Sequence, residues 1–431
     1  MIKVGIIGLG TVGAGTYRIL KEHHGLIKSK TGLDIKVARA ADIDPNKSIT
    51  MGLQKGIFTN DALDIINDEK IDIVIELIGG TTAAYDYIIK SIKNRKGVIT
   101  ANKSLLAQRG REIFRLAQTY GAPIGFEASV CGGIPVIRAI KEGLIANKIT
   151  GIMGILNGTS NYIMTKMTEE GKPFAEALKD AQRLGYAEQD PTFDVEGIDA
   201  AHKLCILIGL AFGCCVDMKD ITTRGITRIE PVDIELAREF GYRIKLLAIA
   251  RHDRDGLEAR VEPAMIPVAH PISSVADVFN AVYIIGDRVG PNMFYGKGAG
   301  SEPTGSAVVS DIVDIARIIK SKNAIAGFLG VNLNKRIRIK KSDEVCVPFY
   351  LRFTAKDMPG VLSKISGVLA RYMISISTVI QKGRQENGYV PIVMLTHEAI
   401  EGDIKKAMAE IDKLPFIKGE SIHIRIEEDL G

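Results

Sequence analysis

The chain opens on an apolar run, Ile2–Ile7, that stops at Gly8-Leu9-Gly10-Thr11-Val12-Gly13 and passes into a helical pattern reaching Leu20. A short run that is apolar on both faces predicts a strand covered on both sides, as in a parallel sheet. Ile35–Ala41 and residues 71–78 and 97–101 read the same way, with helical stretches between them. That alternation predicts the βαβ rhythm of a doubly wound sheet. After Glu127 the pattern becomes a glycine-rich crossing, Ala128-Ser129-Val130-Cys131-Gly132-Gly133-Ile134-Pro135, followed by a strand over 149–156. A polar turn, Asn157-Gly158-Thr159-Ser160-Asn161-Tyr162, then leads into an amphipathic helix expected to begin near Ile163. Beyond Val347 the period alternates again. Phe349, Leu351 and Phe353 share a strand face, and Val361, Leu362, Ile365, Val368 and Leu369 recur at helical spacing. Strands through 374–380, 390–395 and 422–426, with a helix over 404–414, complete a βαββαβ pattern.

At 431 residues the chain can build two or three domains, each burying its own core. Its 46% hydrophobic and 25% charged residues fit an ordinary soluble protein. A formal charge of +5, with Lys and Arg scattered, argues against nucleic acid as a partner. No long apolar segment or leader-like start is present, so neither membrane nor export is expected, and the expected address is cytoplasmic. The five cysteines contain no C-x-x-C pair and read as free thiols filling apolar positions.

Gly8 to Gly13 is G-x-G-x-x-G between strand and helix, where the first glycine makes a tight turn and the second admits a pyrophosphate to the backbone. Arg39 falls near the end of the second strand, where an arginine accommodates the 2′-phosphate of NADP. Asp42 and Asp44 follow it, and an acid there favours NAD. NADP is the expected cofactor, with NAD possible. Thr100-Ala101-Asn102-Lys103 follows another strand, so Lys103 either faces the nicotinamide end of the cofactor or begins a helix at the surface.

Residues 181–203 read A-Q-R-L-G-Y-A-E-Q-D-P-T-F-D-V-E-G-I-D-A-A-H-K, with Glu188, Asp190, Asp194, Asp199 and Lys203 leading into the apolar stretch 204–212. Asp199 and Lys203 stand one helical turn apart and share a face, either as an exposed ion pair or as part of a site. Oxidising an alcohol requires a base for its hydroxyl proton, and a lysine serves when its pKa is lowered. Lys103 would lower that of Lys203 by repulsion if the fold brings the two together. His202 points to a different helix face and reads as structural.

The spacing A-x-x-x-G-Y-A-x-x-D-P-x-x-D-V-x-G-x-D-x-x-x-K resembles the signature of the homoserine dehydrogenase family. Gly8 to Gly13, Thr100 to Lys103, Asn157-Gly158-Thr159, Gly298-Ala299-Gly300 and Pro303-Thr304-Gly305 agree with it. The resemblance implies reversible, nicotinamide-dependent interconversion of L-homoserine and L-aspartate 4-semialdehyde, on the route to threonine and methionine. It implies Lys203 as the proton-transfer residue, with Lys103 between cofactor and substrate. Substrate contacts would come from Glu188, Asp199, Asp194, Asn157, Gly158 and Thr159. Gly8, Gly10, Thr11, Val12, Gly13, Gly185 and Gly300 would line the cofactor, with Arg39 at its ribose. A monovalent cation such as sodium would sit on Glu127 and the main-chain carbonyls of Val130, Gly132 and Ile134.

The C-terminal pattern, with Asp357-Met358-Pro359-Gly360-Val361-Leu362 at its first strand-to-helix turn, is similar to an ACT domain. That resemblance implies a ferredoxin-like module and a regulatory site at Asp357, Pro359, Gly360, Val361 and Leu362 for threonine. The alternative is a module that only pairs subunits. The expected architecture is α/β: a Rossmann-type dinucleotide domain over 1–130 and an α+β substrate and dimerisation domain over 131–325, whose helix at about 306–320 returns to the first. A linker over 326–346 and an ACT domain over 347–431 complete it, in a homodimer or homotetramer. Two other classes compete: a non-catalytic sensor of NADP and an amino acid, and a dehydrogenase for another small hydroxy amino acid.

Overall fold

The computed structural model describes residues 1–54, 56–321, 335–382 and 388–428. Part of the expected linker, 326–334, and the last three residues of the expected ACT domain lie outside the described residues. The chain divides into two compact units that do not follow chain order. The first comprises Met1–Gly158, Asp199–Ile221 and Val278–Arg336, and the second comprises Thr159–Ile198, Thr222–Asp277 and Ile337–Gly431.

In the first unit, six strands form a parallel sheet: β1 (Ile2–Ile7), β2 (Ile35–Ala41), β3 (Phe58–Thr59), β4 (Ile73–Glu76), β5 (Gly97–Thr100) and β6 (Ile124–Gly125). Their order, β3-β2-β1-β4-β5-β6, is that of a Rossmann sheet, with its switch point between β1 and β4. The near-continuous burial of β1, β4 and β5 follows from cover on both faces. One cover is the helix Ser301–Ser321, which packs on the helix Thr11–Glu22 so closely that a Cβ on Gly15 would stand 2.2 Å from the Ser301 carbonyl. Val308, Ile312 and Ile315 join Ile2, Val4 and Ile73 in one core. The same unit carries an antiparallel set in which Ile149–Ile155 pairs with Phe279–Gly286, and that strand with Gly290–Lys297.

Two helices of this unit bear the site. Lys103–Tyr120 begins at Asn102, whose side chain accepts the Leu105 amide at 3.0 Å, and ends at Gly121 in the left-handed region. Ile198–Phe212 is apolar on every face, and every residue from Asp199 to Ile208 is buried. Charged groups on such a helix must find partners.

In the second unit, Tyr242–His252 and Leu257–Pro267 form a long antiparallel pair. Leu257–Pro267 then runs parallel to Ile422–Ile426, which continues the sheet through Phe349–Lys356, Tyr389–Thr396 and Ile376–Gln381. With helices Val361–Arg371 and Glu401–Ile411 packed on Phe349, Leu351, Phe353 and Met394, that stretch is a ferredoxin-like module. The helix expected from Ile163 starts earlier, at Gly158, because the polar residues of the turn form its first turns.

Candidate active site

The glycine turn after β1 is built as its sequence requires. Gly8 has φ +98°, and a Cβ there would stand 2.7 Å from the Leu77 carbonyl group. A Cβ on Gly13 would meet the Gly8 carbonyl oxygen at 2.0 Å. Above Gly10, the residue preceding the helix Thr11–Glu22, nothing lies within 4 Å of an added Cβ. This is a cradle for a diphosphate at a helix N-terminus. Asp42, just past β2, braces it: its carboxylate accepts the Leu9 amide at 2.7 Å and the Lys47 ammonium at 3.1 Å. Arg39, inside β2, lies 3.8 Å from Asp64 and 3.7 Å from Asp68. Gly13→Ala pushes the turn out of shape and is expected to cost roughly 10²-fold in kcat/KM for the nucleotide. Steady-state kinetics against cofactor concentration measure it, and an unchanged cofactor KM contradicts the placement.

A chain of hydrogen bonds, buried at Glu76 and Thr100, runs from the sheet to the start of the Lys103 helix. Glu76, at the end of β4, accepts the Thr100 hydroxyl at 2.7 Å and the Ile78 and Gly79 amides at 2.8 and 3.3 Å. Burial holds its carboxyl above the ordinary carboxylate range despite those bonds. Thr100 in turn accepts the Asn102 amide at 3.0 Å, and the Asn102 side chain donates to the Gly80 carbonyl at 2.5 Å. Lys103 therefore starts its helix from a fixed point.

Asp199 is the centre. One of its carboxylate oxygens lies 2.6 Å from Lys103 Nζ, and the other accepts Lys203 Nζ at 2.7 Å and Asn157 Nδ2 at 2.8 Å. Burial alone would raise the carboxyl of Asp199; the two ammonium groups outweigh it and hold the group below the ordinary range. Lys203 also donates to the Leu156 carbonyl at 2.6 Å and is almost fully enclosed, whereas the side chain of Lys103 is 36% exposed. The expected lysine pair thus exists, but a shared carboxylate stands between the two ammonium groups. Repulsion between the two lysines is therefore offset by the anion they share. Two cations against one anion leave a surplus positive charge in the cluster.

Gly158 closes the same corner, where a Cβ would stand 2.7 Å from the Val278 carbonyl. His202 precedes Lys203 on the same helix. Its Nδ1 lies 3.2 Å from the Ser104 hydroxyl, joining the two lysine-bearing helices, and burial lowers its pKa.

Thr159, Gly185, Glu188 and Asp194 belong to the second unit. There the Thr159 hydroxyl donates to the Tyr186 carbonyl at 2.6 Å, and the Tyr162 and Tyr186 rings meet edge to face at 5.1 Å, which ties Thr159 to the Gly185–Glu188 stretch. Glu188 is exposed. The main-chain carbonyl of Asp194 accepts the Ser160 hydroxyl at 2.8 Å, and Asp190 caps the short helix Thr192–Val195 through the Thr192 amide and hydroxyl.

Glu127 is buried, and each of its carboxylate oxygens accepts one main-chain amide, Ile137 at 2.9 Å and Arg138 at 2.8 Å. Each oxygen keeps a second lone pair, so the carboxylate is chemically able to ligate a cation. Among the described residues no set of three His, Cys, Asp or Glu side chains is placed to hold a metal. In the turn 357–362, expected to be regulatory, Gly360 has φ +87° at the start of its helix, Asp357 accepts from Gln381 at 3.4 Å, and Met358 and Leu362 are exposed.

Two contributors had no sequence signal that marked them. Leu156 acts through its carbonyl. Asn280, fully buried, donates from the same Nδ2 to that carbonyl at 2.9 Å and lies 3.5 Å from the Cys131 sulfur.

Family models for "Homoserine dehydrogenase, NAD binding domain", "Homoserine dehydrogenase" and "ACT domain" match residues 8–127, 135–313 and 349–416. The chain is 43% identical over 434 residues to a homoserine dehydrogenase of Pseudomonas aeruginosa, covering 99% of each. It is 39% identical to one of Bacillus subtilis, covering 99% of this chain and 98% of that one. It superposes on the crystal structure of a homoserine dehydrogenase from Thiobacillus denitrificans with a TM-score of 0.93 at 44% identity, over 99% of this chain and 98% of that one.

Proposed function

This chain belongs to the homoserine dehydrogenase family, and on that premise we propose that Lys203 moves the hydroxyl proton while Lys103 holds the reacting oxygen beside the cofactor. The activity is that of an oxidoreductase interconverting L-homoserine and L-aspartate 4-semialdehyde. A bound nicotinamide nucleotide supplies the hydride acceptor for the alcohol and the donor for the reverse reaction. The observation that carries the reading is the single carboxylate of Asp199 gripping both lysines.

In the arrangement described, Lys203 is poised as an acid: its ammonium, fixed by Asp199 and the Leu156 carbonyl, gives a proton to the carbonyl oxygen of the semialdehyde as that oxygen gains charge. In the other direction the neutral amine takes the proton back. Lys103, beside that oxygen, stabilises the negative charge it develops. Glu188 and Asp199 are assigned to the substrate ammonium and hydroxyl, and further substrate contacts to Asp194, Asn157, Gly158 and Thr159. Semialdehyde reduction takes up a proton and homoserine oxidation releases one, so a rise in pH is expected to slow the first and speed the second. Asp199, held ionised below the ordinary carboxylate range, contributes no limb near neutrality. Initial rates in both directions across pH measure this; profiles that move in parallel contradict it.

For the cofactor we assign Gly8, Gly10, Thr11, Val12, Gly13, Gly185 and Gly300 to its binding, with NADP preferred through Arg39. The supporting feature is a guanidinium next to the end of β2, while Asp42 is engaged by the glycine turn. Arg39→Ala is expected to shift the ratio of kcat/KM for NADP over NAD toward NAD, and an unchanged ratio removes Arg39 from the reading. Sodium on Glu127, a cytoplasmic address and a homo-oligomer complete it. No helix among the described residues is long and apolar enough to cross a membrane. Threonine is the proposed feedback inhibitor, acting through the ACT module. Its exposed Met358 and Leu362 and its edge strand Ile376–Gln381 suit contact with a second copy.

A further inference from the structure

Lys245 lies mid-strand in Tyr242–His252, between the buried Ile244 and Leu246, and is itself only 5% exposed. Its ammonium donates to the Val275 carbonyl at 2.6 Å and to the Asn161 side-chain oxygen at 3.2 Å, and both acceptors are neutral. Burial pushes the group down to about 8, and Arg243 on the same strand adds to that. Glu169, on the helix Gly158–Glu170, and Asp277 act against it. A buried ammonium whose hydrogen bonds go to neutral groups costs the fold free energy. The proton-transfer scheme makes no use of it.

The lysine holds a strained stretch of backbone. Asp277 has φ +52°, a left-handed conformation uncommon for a residue with a side chain. Its main-chain amide donates to the Thr165 hydroxyl at 3.0 Å, and its carbonyl accepts Asn161 Nδ2 at 3.0 Å. The same Nδ2 reaches the Val275 carbonyl at 3.3 Å, and the Thr165 hydroxyl donates to the Asn161 main-chain carbonyl at 2.7 Å. A lysine only donates, so it selects the amide orientation that turns Asn161 Oδ1 to the ammonium and Nδ2 to the two carbonyls. Lys245, Asn161 and Thr165 together fasten 275–277 to the helix Gly158–Glu170.

The clamp stands where the chain changes units. The chain enters the second unit after Gly158 and leaves it after Asp277. Lys245 and Asn161 tie these two passages together within the second unit. Within the first, a Cβ on Gly158 would stand 2.7 Å from the Val278 carbonyl, and Asn280 donates to the Leu156 carbonyl on which Lys203 rests. One passage is therefore Asn157-Gly158-Thr159, assigned to the substrate, and the other leads into Asn280.

We infer that Lys245 is a positioning residue for homoserine, which acts through Asn161 and the segment 275–277 to fix the backbone of Thr159 and of the strand that carries Asn280. The inference rests on the proposed roles of Thr159 at the substrate and of Lys203 in proton transfer. An ammonium that burdens the fold while ordering the substrate motif exchanges stability for activity. Its removal should therefore weaken homoserine binding without weakening the fold.

The test compares the full-length wild-type enzyme with Lys245→Met, which keeps an unbranched apolar stem without the ammonium, with Asn161→Ala, and with Thr159→Ala. In Lys245→Met, kcat/KM for homoserine should fall roughly 10- to 100-fold, chiefly through KM, while the Kd of the nucleotide is unchanged and the thermal midpoint is no lower than in wild type. Asn161→Ala should raise the same KM, and the double variant should lose little more than the worse single one, because the two residues form one clamp. Wild-type kinetics in Lys245→Met overturn the inference, as does a variant whose thermal midpoint collapses or whose kcat and nucleotide Kd suffer as much as its KM. If Thr159→Ala raises the homoserine KM and Lys245→Met does not, the clamp alone falls. If Thr159→Ala leaves that KM unchanged, the substrate reading of the motif fails, and this inference with it.

Discussion

Lys203→Ala is expected to lower kcat for homoserine oxidation by about 10²- to 10⁴-fold, the range for loss of a positioned proton-transfer group. Lys203 is enclosed by Asp199 and the Leu156 carbonyl, so no neighbouring lysine can take its place without breaking its own contact with Asp199. The Kd of the nucleotide should stay within a few-fold of wild type, because the glycine turn is built from Gly8, Gly13 and Asp42 and touches none of these groups. Stopped-flow reduction of the nicotinamide separates the two quantities. A variant that retains most of its turnover contradicts the assignment. Lys103→Ala should behave differently: its side chain is partly exposed and shares only one oxygen of Asp199, so the loss should divide between KM and kcat.

Asp199→Ala carries the second large effect, and it falls on stability as well as rate. The carboxylate is buried and answers two ammonium groups and one amide. Its removal takes away the anion that Lys203 and Lys103 share, and breaking a buried pair in this way costs about 3–5 kcal/mol. The sign of its pH dependence follows from the depressed carboxyl. The folded state binds that proton later than the unfolded one, so Asp199 stabilises the fold fully above its unfolded pKa of about 3.9, and the contribution drains away as pH falls below it. The gap between wild type and variant should therefore be widest near neutrality and close in acid. Asp199→Asn keeps the shape and the contact with Lys203 but loses the charge; it should recover part of the stability and little of the rate. Denaturation at several pH values with parallel kinetics decides this, and a variant as stable as wild type at neutral pH contradicts the central role of Asp199.

Much of this site was legible in the sequence because its chemistry depends on local spacing. Asp199 and Lys203 share a helix face by periodicity, and an apolar continuation forces the pair indoors. The turn from Gly8 to Gly13 declares itself because backbone geometry there excludes a side chain. The rule that ligands bind off strand carboxyl ends left Lys103 either at the cofactor or at a surface helix start, and the family resemblance chose the first. What escaped depends on partners far away in the chain. Leu156 works through a carbonyl, which no residue type encodes, and Asn280 is an unremarkable strand position until it meets that carbonyl from 124 residues away. The shared grip of Asp199 on both lysines needed Lys103 and Asp199 to meet across the fold, and mutual repulsion was the natural expectation without it. The helix start at Gly158 was missed because glycine and threonine read as turn formers, whereas at a helix start such small residues are tolerated. The buried charges of Arg260 and Arg425 gave no signal for the same reason as Asn280: their partners lie on strands brought together only by the sheet.

The most direct measurement of the proton-transfer role is rescue of Lys203→Ala by small primary amines, followed as homoserine-dependent reduction of the nicotinamide. The cavity left by the side chain should admit an alkylammonium between Asp199 and the Leu156 carbonyl. The predicted result is a rate that rises with amine concentration, depends on the basicity of the amine, and vanishes when Asp199 is also removed. A Lys203→Ala enzyme that turns over near the wild-type rate without amine, or whose rate is indifferent to amines of any basicity, contradicts it.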